Sequence, residues 1–177
     1  MIAKTVRSTP ALRAVFKSIT LLSTSQGSCA IARNFSSSVA LPEIDSDELV
    51  KQLDAKAPGL LVLDVRSPEE LAAGSIRGSL NLPTPLFKQA DTAPLDRAIR
   101  EHIGSAQEVV VHCLFCSPGK RGPTAAAALQ QRLQALAVSP APRVSVLRGG
   151  IDAFMAKYGS RTDLVTLPPG GWKAQTH

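Results

Sequence analysis

Cysteines, aromatic residues and long apolar runs are all scarce in this sequence. The 177 residues include three cysteines and 4% aromatic residues, and no apolar run approaches the roughly 18 residues that favour a transmembrane helix. So few cysteines do not form a disulfide framework, and we expect no membrane partner. The length is sufficient for one domain with its own hydrophobic core.

Acidic residues are absent from the first 42 positions. Five basic residues precede Glu43, whereas 15 basic and 14 acidic residues follow from there, so almost the whole net charge of +6 belongs to the N-terminal segment. The remaining chain is close to neutral and lacks the basic surface that nucleic-acid binding requires. We therefore expect no nucleic-acid partner.

Residues 1–40 have the composition of a transit peptide. They are rich in Ser, Arg, Ala and Leu, contain no acid, and alternate basic with apolar residues. Arg33 stands shortly before Phe35 and a small residue follows, which resembles a mitochondrial processing site. We predict cleavage near Phe35, loss of Cys29 with the presequence, and residence in the mitochondrial matrix in preference to a plastid.

Apolar runs alternate with helical patterns after residue 43. Residues 60–65 and 109–111 are almost continuously apolar, as in strands buried on both faces of a parallel sheet, and residues 144–147 form a third run. Ser67, Pro68 and two glutamates predict a short helix, and an Ala-rich segment from Pro123 predicts a longer one. This alternation predicts a small α/β domain with helices on both faces of the sheet.

The chemistry-bearing stretch follows the strand at residues 109–111. Cys113 comes at the end of that strand, where ligands of parallel sheets bind, and a polar loop with Arg121 leads into the helix. Loop N–H groups and a helix N-terminus stabilise a thiolate and an oxyanion, and the planar arginine fork binds two oxygens at once. We expect no metal, because Cys113 and Cys116 have no second pair and His112 would point to the opposite strand face.

Four motifs together resemble the rhodanese superfamily in order and spacing. The resemblance covers residues 43–159 and implies a three-layer α/β fold, with about five parallel strands flanked by helices and the active cysteine in a strand-to-helix loop. Residues 160–177 are left as a Pro/Gly-rich C-terminal tail, extended over the surface or loose. The motifs are Leu63-Asp64-Val65-Arg66, residues 74–83, His112-Cys113 with Arg121-Gly122-Pro123, and residues 147–154.

Two branches of this superfamily leave a signature on the loop. Cdc25-type phosphatases and the related arsenate reductases use His-Cys, five residues and Arg, often followed by Gly-Pro, and His112-Cys113 with Arg121 resembles that branch. Seven residues separate Cys113 from Arg121, however, which is two more than that pattern has. Measured from Cys116, the loop matches the Cys-x-x-Gly-x-Arg pattern of sulfurtransferases, which carry a persulfide on the cysteine.

We predict Cys113 as the nucleophile, because family cysteines follow the strand directly, and Arg121 as the oxyanion ligand. Cys116 is an alternative nucleophile, a resolving thiol that closes a disulfide with Cys113, or a bystander. Asp64 and Arg66 are interpreted as structural support that fixes neighbouring loops, and His112 is expected to pack behind the loop and hydrogen-bond it. The predicted substrate-binding loop consists of Leu114, Phe115, Ser117, Pro118, Gly119, Lys120 and Gly122.

These residues lead to three hypotheses on function. The first is an enzyme acting on a tetrahedral oxyanion through the Cys113 thiolate, as a Cdc25-like phosphatase or an arsenate reductase; the loop offers no general acid, which weakens the phosphatase. The second is a mitochondrial single-domain sulfurtransferase for thiosulfate or a persulfide. The third is a non-catalytic binding module, which the intact Cys and Arg disfavour. We expect no cofactor, a small oxyanion, phosphorylated or sulfur-donor substrate, and a thiol reductant such as glutathione.

Overall fold

A computed structural model describes residues 41–173. The predicted transit peptide, with Cys29 and the processing site near Phe35, lies outside the described residues. The helical turns between the main elements are 3-10 helices at Pro68–Ala73 and Thr84–Phe87 and a π-helical turn at Ile99–Ile103 that continues the α-helix Ala93–Ala98. The elements are β1 (Glu43–Ile44), α1 (Ser46–Asp54), β2 (Leu60–Asp64), β3 (Ser75–Ile76), β4 (Leu80–Asn81), α2 (Ala93–Ala98), β5 (Glu108–His112), α3 (Arg121–Ala135), β6 (Arg143–Leu147), α4 (Gly150–Tyr158) and β7 (Val165–Thr166).

The main sheet has five parallel strands in the order β1-β6-β5-β2-β4, which confirms the predicted fold class. Strands β2 and β5 pair over their whole length, from Leu60 opposite Glu108 to Asp64 opposite His112. Both strands lie inside the sheet, and their last three residues are buried, as their apolar sequences predict. Their carboxyl ends therefore meet at one edge, which brings Asp64 beside the residue that precedes Cys113.

Two hydrophobic layers cover the sheet because successive strand residues face opposite sides. Val109 and Val111 of β5 pack in a cluster with Leu129 and Leu133 of α3, on one face. Val110, between them, belongs to the cluster on the other face, which includes residues of α1 and α4. Fully burying a side chain of this size stabilises the fold by about 1.5–3 kcal/mol, so the alternation in β5 holds the three layers together.

Helix α3 begins at Arg121, two residues before the predicted start at Pro123. Lys120 is its N-cap residue, in an extended conformation, and Pro123 is the third helical residue. A proline is tolerated there because the first N–H groups of a helix have no intrahelical acceptor. The consequence is that Arg121 and Gly122 lie in the first turn of the helix, directly at the loop.

The segment after Gly159 adds a strand of its own. Val165–Thr166 pairs antiparallel with Ser75–Ile76 in a small second sheet, and Trp172 packs against the cluster that includes α4. The residues that we expected to be extended or loose are therefore extended and paired in part. Within residues 41–173, no helix is long and apolar enough to span a membrane.

Candidate active site

The loop from Cys113 to Lys120 connects β5 to α3 at the carboxyl edge of the sheet. The first turn of α4 holds the start of this loop, because Ile151 N–H donates to Cys113 O and Asp152 N–H to Leu114 O, both at 3.0 Å. A Cβ on Gly150 would lie 2.4 Å from Leu114 O. Gly149-Gly150 thus forms a tight turn beside the loop, and the lack of a side chain at Gly150 makes the close approach possible.

Two thiols share the interior of the loop. Cys113 and Cys116 are 2% and 4% exposed, and their sulfurs are 3.5 Å apart. The Cys113 N–H donates to Cys116 Sγ at 3.0 Å. Gly122 leaves room for both sulfurs, since a Cβ there would lie 2.5 Å from Cys116 Sγ and 3.2 Å from Cys113 Sγ.

The two thiols ionise differently. The pKa of Cys113 is lowered to about 6, first because the Cys116 thiol donates to its sulfur and also because the N–H groups of Cys116, Gly122 and Phe115 point to it. The pKa of Cys116 is raised, because its proton is shared with Cys113 and because it is buried. Cys113 is therefore the thiolate at neutral pH and Cys116 the thiol.

Arg121 is held by the carboxylate of Glu70, which was not among the site residues predicted from the sequence. Its Nη1 and Nη2 donate to the two carboxylate oxygens of Glu70 at 2.5 and 2.7 Å. The guanidinium lowers the pKa of Glu70 to about 2, so the carboxylate stays ionised. Glu70 also accepts the Ser67 N–H in the capping box of the 3-10 helix. The sequence signal for Glu70 was its position in that predicted helix start.

Asp64 and Arg66 form a fully buried ion pair behind Glu70. Arg66 Nε and Nη2 both donate to the Asp64 carboxylate, at distances from 2.7 to 3.1 Å. One further N–H on Nη1 and one on Nη2 donate to the backbone carbonyls of Glu70 and Gly74, respectively. Removing one partner of such a pair costs about 3–5 kcal/mol. The pair thus fixes the turn that carries Glu70. This arrangement agrees with the interpretation of Asp64 and Arg66 as structural support for neighbouring loops.

His112 is buried behind the loop. Neither ring nitrogen has a partner of full hydrogen-bond geometry within the described residues, although the backbone of Cys113 interacts with the ring and raises its pKa. Burial is the larger influence and lowers the pKa of His112, and its Nε2 lies 3.8 Å from Asp64 Oδ2. The hydrogen bond from His112 to the loop stays a prediction.

Two cavities adjoin at Arg121, which lines both. The smaller has a volume of about 40 Å³ and is lined by Cys113, Leu114, Phe115, Lys120 and Arg121. The larger, of about 570 Å³, includes Val65, Ser67, Thr84, Pro85, Lys88 and Gln89 in its lining.

The extra loop length is accommodated outside the smaller cavity. Ser117, Pro118 and Gly119 are exposed and do not line it, and the Lys120 N–H donates to Ser117 O to close a turn. The Cys113 sulfur is thus surrounded by the residues that directly follow Cys113 and by the first turn of α3. Of the predicted substrate-binding loop, the structure brings Leu114, Phe115, Lys120 and Gly122 to the site. The exposed residues 117–119 lie outside the site.

Fold and site together define a parallel α/β protein with a reactive-cysteine loop between a central strand and a helix. The sequence model of the Rhodanese-like domain family matches residues 45–157. The chain therefore belongs to the rhodanese-like family, which confirms the resemblance stated from its motifs.

Relatives of the chain carry three kinds of activity in their names. Human M-phase inducer phosphatase 3 is 31% identical over 130 residues, which are 67% of this chain and 26% of the phosphatase. A sulfurtransferase of Allochromatium vinosum is 35% identical over 118 residues, 66% of this chain and 90% of that protein. The solved As-Sb reductase of Leishmania major has a TM-score of 0.57 and 27% identity, over 72% of this chain and 86% of that one. The chain thus spans about a quarter of the phosphatase and most of the other two proteins.

Proposed function

We propose that the chain is a cysteine-dependent enzyme that acts on a tetrahedral oxyanion through the Cys113 thiolate, and that it reduces arsenate in preference to hydrolysing phosphate esters. The observation that carries this proposal is the low-pKa Cys113 sulfur, surrounded by backbone N–H donors and lining a small cavity together with Arg121. The As-Sb reductase of Leishmania major, a solved relative, supports the choice of reaction.

The site has donors for both the substrate and the transition state. The N–H groups that stabilise the thiolate are placed to bind oxygens of an anion that Cys113 attacks. Arg121 has five N–H donors, of which Glu70 takes two. The remaining donors bind the oxyanion, while Glu70 keeps the guanidinium from rotating away. Attack by Cys113 then forms a bond from sulfur to the central atom.

The absence of a placed acid favours arsenate over a phosphate ester. An alcohol leaving group needs a proton donor, and no residue in the described lining of the small cavity carries a carboxyl group. Glu70, the carboxylate on Arg121, has a pKa of about 2 and holds no proton at neutral pH. Arsenate releases water, which takes its proton from the substrate or solvent, so the reaction requires no acid of this kind.

Cavity size supports a small reacting group. A volume of about 40 Å³ is far below the roughly 300–1,000 Å³ of pockets that enclose whole organic ligands. The neighbouring cavity of about 570 Å³ falls within that range and shares Arg121 with the site. An inorganic oxyanion needs only the first cavity, whereas a thiol cosubstrate has room in the second.

The test is glutathione-coupled arsenate reduction by the full-length chain, run beside aryl-phosphate hydrolysis. We expect arsenite formation that Cys113→Ser abolishes and that Arg121→Lys lowers by about 10²–10³-fold, as for loss of one transition-state donor. Retention of full activity by Cys113→Ser would exclude this thiol as the nucleophile. Phosphate hydrolysis without arsenate reduction would favour the phosphatase.

A sulfurtransferase is the second candidate, and a specific observation favours it. The loop from Cys116 to Arg121 has the spacing Cys-x-x-Gly-x-Arg, and the sulfurtransferase of Allochromatium vinosum is covered over 90% of its length. Thiosulfate:cyanide transfer separates the two proposals. We expect this transfer to be slower than arsenate reduction, because the raised pKa of Cys116 keeps that sulfur protonated. Transfer that survives in Cys113→Ser but not in Cys116→Ser would reverse the assignment.

A further inference from the structure

Cys116 lies closer to the proposed nucleophile than a bystander thiol needs to be. Its sulfur is 3.5 Å from Cys113 Sγ, which exceeds the disulfide bond length of about 2.05 Å by about 1.5 Å. Within residues 41–173, these two are the free cysteines. A small shift of the loop would therefore allow a bond between them.

The fold holds Cys116 in a backbone conformation that residues other than glycine rarely adopt. Its φ is +48°, a left-handed conformation that is unfavourable for a residue with a Cβ. With this turn, the sulfur accepts the Cys113 N–H at 3.0 Å and occupies space that a Cβ at position 122 would fill. A strained residue at a reactive site is grounds for a functional hypothesis.

We propose that Cys116 is the resolving thiol of Cys113, so that the external thiol reductant acts on an S–S bond and not on arsenic. The inference rests on the proposed arsenate reduction and makes Cys116 a second catalytic residue. Cys113 lines the small cavity, whereas Cys116 does not. The Cys116 sulfur thus lies beside Cys113 Sγ without lining the cavity that takes the oxyanion.

The two steps balance in atoms and electrons. The Cys113 thiolate displaces one oxygen of arsenate, an S–As bond forms, and the oxygen leaves as water after protonation from the substrate or solvent. The Cys116 sulfur then attacks Cys113 Sγ and passes its proton to an arsenic-bound oxygen. The S–S bond forms, and the S–As bond breaks with its electron pair going to arsenic. As(V) becomes As(III), and two thiols become one disulfide, which an external thiol reductant restores.

A single-turnover experiment tests this role. Full-length protein is reduced, freed of reductant and mixed with arsenate, and arsenite, free thiols and the Cys113–Cys116 cross-link are measured by chemical assay and peptide mass spectrometry. We expect up to one arsenite per chain, loss of two thiols and the cross-link. Cys116→Ser should form arsenite at least ~100-fold more slowly, since it loses the intramolecular nucleophile. Cys29→Ser is the matched control and should behave as the unaltered chain does.

The outcomes separate the inference from the proposed function. Turnover of arsenate with glutathione that is equally fast in Cys116→Ser, without a cross-link in the unaltered chain, overturns the resolving role and leaves arsenate reduction intact. No arsenite in any condition, reductant included, overturns arsenate reduction itself and the resolving role with it. A Cys116→Ser chain that forms arsenite only with excess glutathione and then carries a mixed disulfide on Cys113, beside an unaltered chain that forms the Cys113–Cys116 cross-link without reductant, supports the inference, because an added thiol then replaces the missing one.

Discussion

Cys113 and Cys116 are similarly buried, and their different ionisation comes from the donors around each sulfur. Cys113 Sγ accepts the Cys116 thiol proton and several backbone N–H groups, whereas Cys116 Sγ accepts the N–H of Cys113 and gives up its own proton toward Cys113. Burial alone raises a thiol pKa. The direction for Cys113 is therefore decided by hydrogen bonds, and the one from the Cys116 thiol can be removed by substitution.

The hydrogen bond from the Cys116 thiol, the largest cause of the lowered Cys113 pKa, predicts how alkylation of Cys113 depends on pH. Alkylation of Cys113 by iodoacetamide should rise with pH through a midpoint near 6, because the thiolate is the reacting form. Cys116→Ala removes the thiol donor, so the midpoint should move up toward the usual range for a thiol. Cys116→Ser retains an O–H donor and should shift it less. Mass spectrometry assigns the alkylated residue, and an unchanged midpoint in Cys116→Ala would contradict this account.

Gly122 predicts a second residue-scale effect. In Gly122→Ala the added carbon would lie 2.5 Å from Cys116 Sγ, and such overpacking costs about 1–3 kcal/mol. We expect both a lower free energy of unfolding in denaturant and slower Cys113 alkylation at neutral pH. Gly119→Ala is the control: its φ is +76° but no atom lies within 4 Å of the added carbon. Gly119→Ala should lower the free energy of unfolding but leave the rate of Cys113 alkylation unchanged. Equal rates of Cys113 alkylation in the two variants would refute the packing argument.

At the scale of elements, the site depends on contact between two distant helix starts. The 3-10 helix Pro68–Ala73 supplies Glu70 and α3 supplies Arg121, and the buried pair of Asp64 and Arg66 fixes the first of them. The arginine is therefore oriented by a turn that follows β2, the neighbour of β5 in the sheet.

Glu70→Gln tests this contact. The loss of a charge-assisted pair, worth about 1.5–3 kcal/mol, should lower kcat/KM for arsenate by about 10-fold to 100-fold, with most of the change in KM. The pKa of Glu70 is lowered to about 2, so its stabilising effect is complete above the usual glutamate pKa and is lost only as pH falls toward 2. The effect of the substitution should consequently be independent of pH between 6 and 8. The exposed neighbour Glu69→Gln should retain activity, and a similar loss there would argue against Glu70 as the positioning residue.

Sequence patterns predicted the elements better than the contacts between them. The central strands and the helix start at Ser67 and Pro68 could be predicted, because continuous apolar runs and a capping residue followed by proline act locally on the backbone. Glu70 and Arg121 are 51 residues apart, and no local pattern specifies their pairing. The loop between Cys113 and Arg121 was ambiguous for the same reason. Its length can be counted from the sequence, but only tertiary packing determines that the additional residues form an exposed turn at residues 117–119.

At the scale of the whole molecule, charge is divided between two parts of the chain. All five basic residues before Glu43 lie in a segment without acids, and the remainder is nearly neutral. The described residues contain both hydrophobic clusters and the complete cysteine site. We propose that residues 1–40 direct the chain to the mitochondrial matrix and take no part in the chemistry.

An import experiment tests this division. A reporter protein fused to residues 1–40 should enter mitochondria, because an inside-negative membrane potential favours a positive segment by about 2.3 kcal/mol per charge per 100 mV. The same fusion with its basic residues changed to glutamine should stay outside, and it is the matched control. N-terminal sequencing of the imported full-length protein should locate the new terminus near Phe35. Protein lacking residues 1–40 should unfold at the same denaturant concentration and reduce arsenate at the same rate as the full chain. A reporter that enters plastids instead would contradict the mitochondrial assignment. A truncated protein that loses activity would show that residues 1–40 take part in the chemistry.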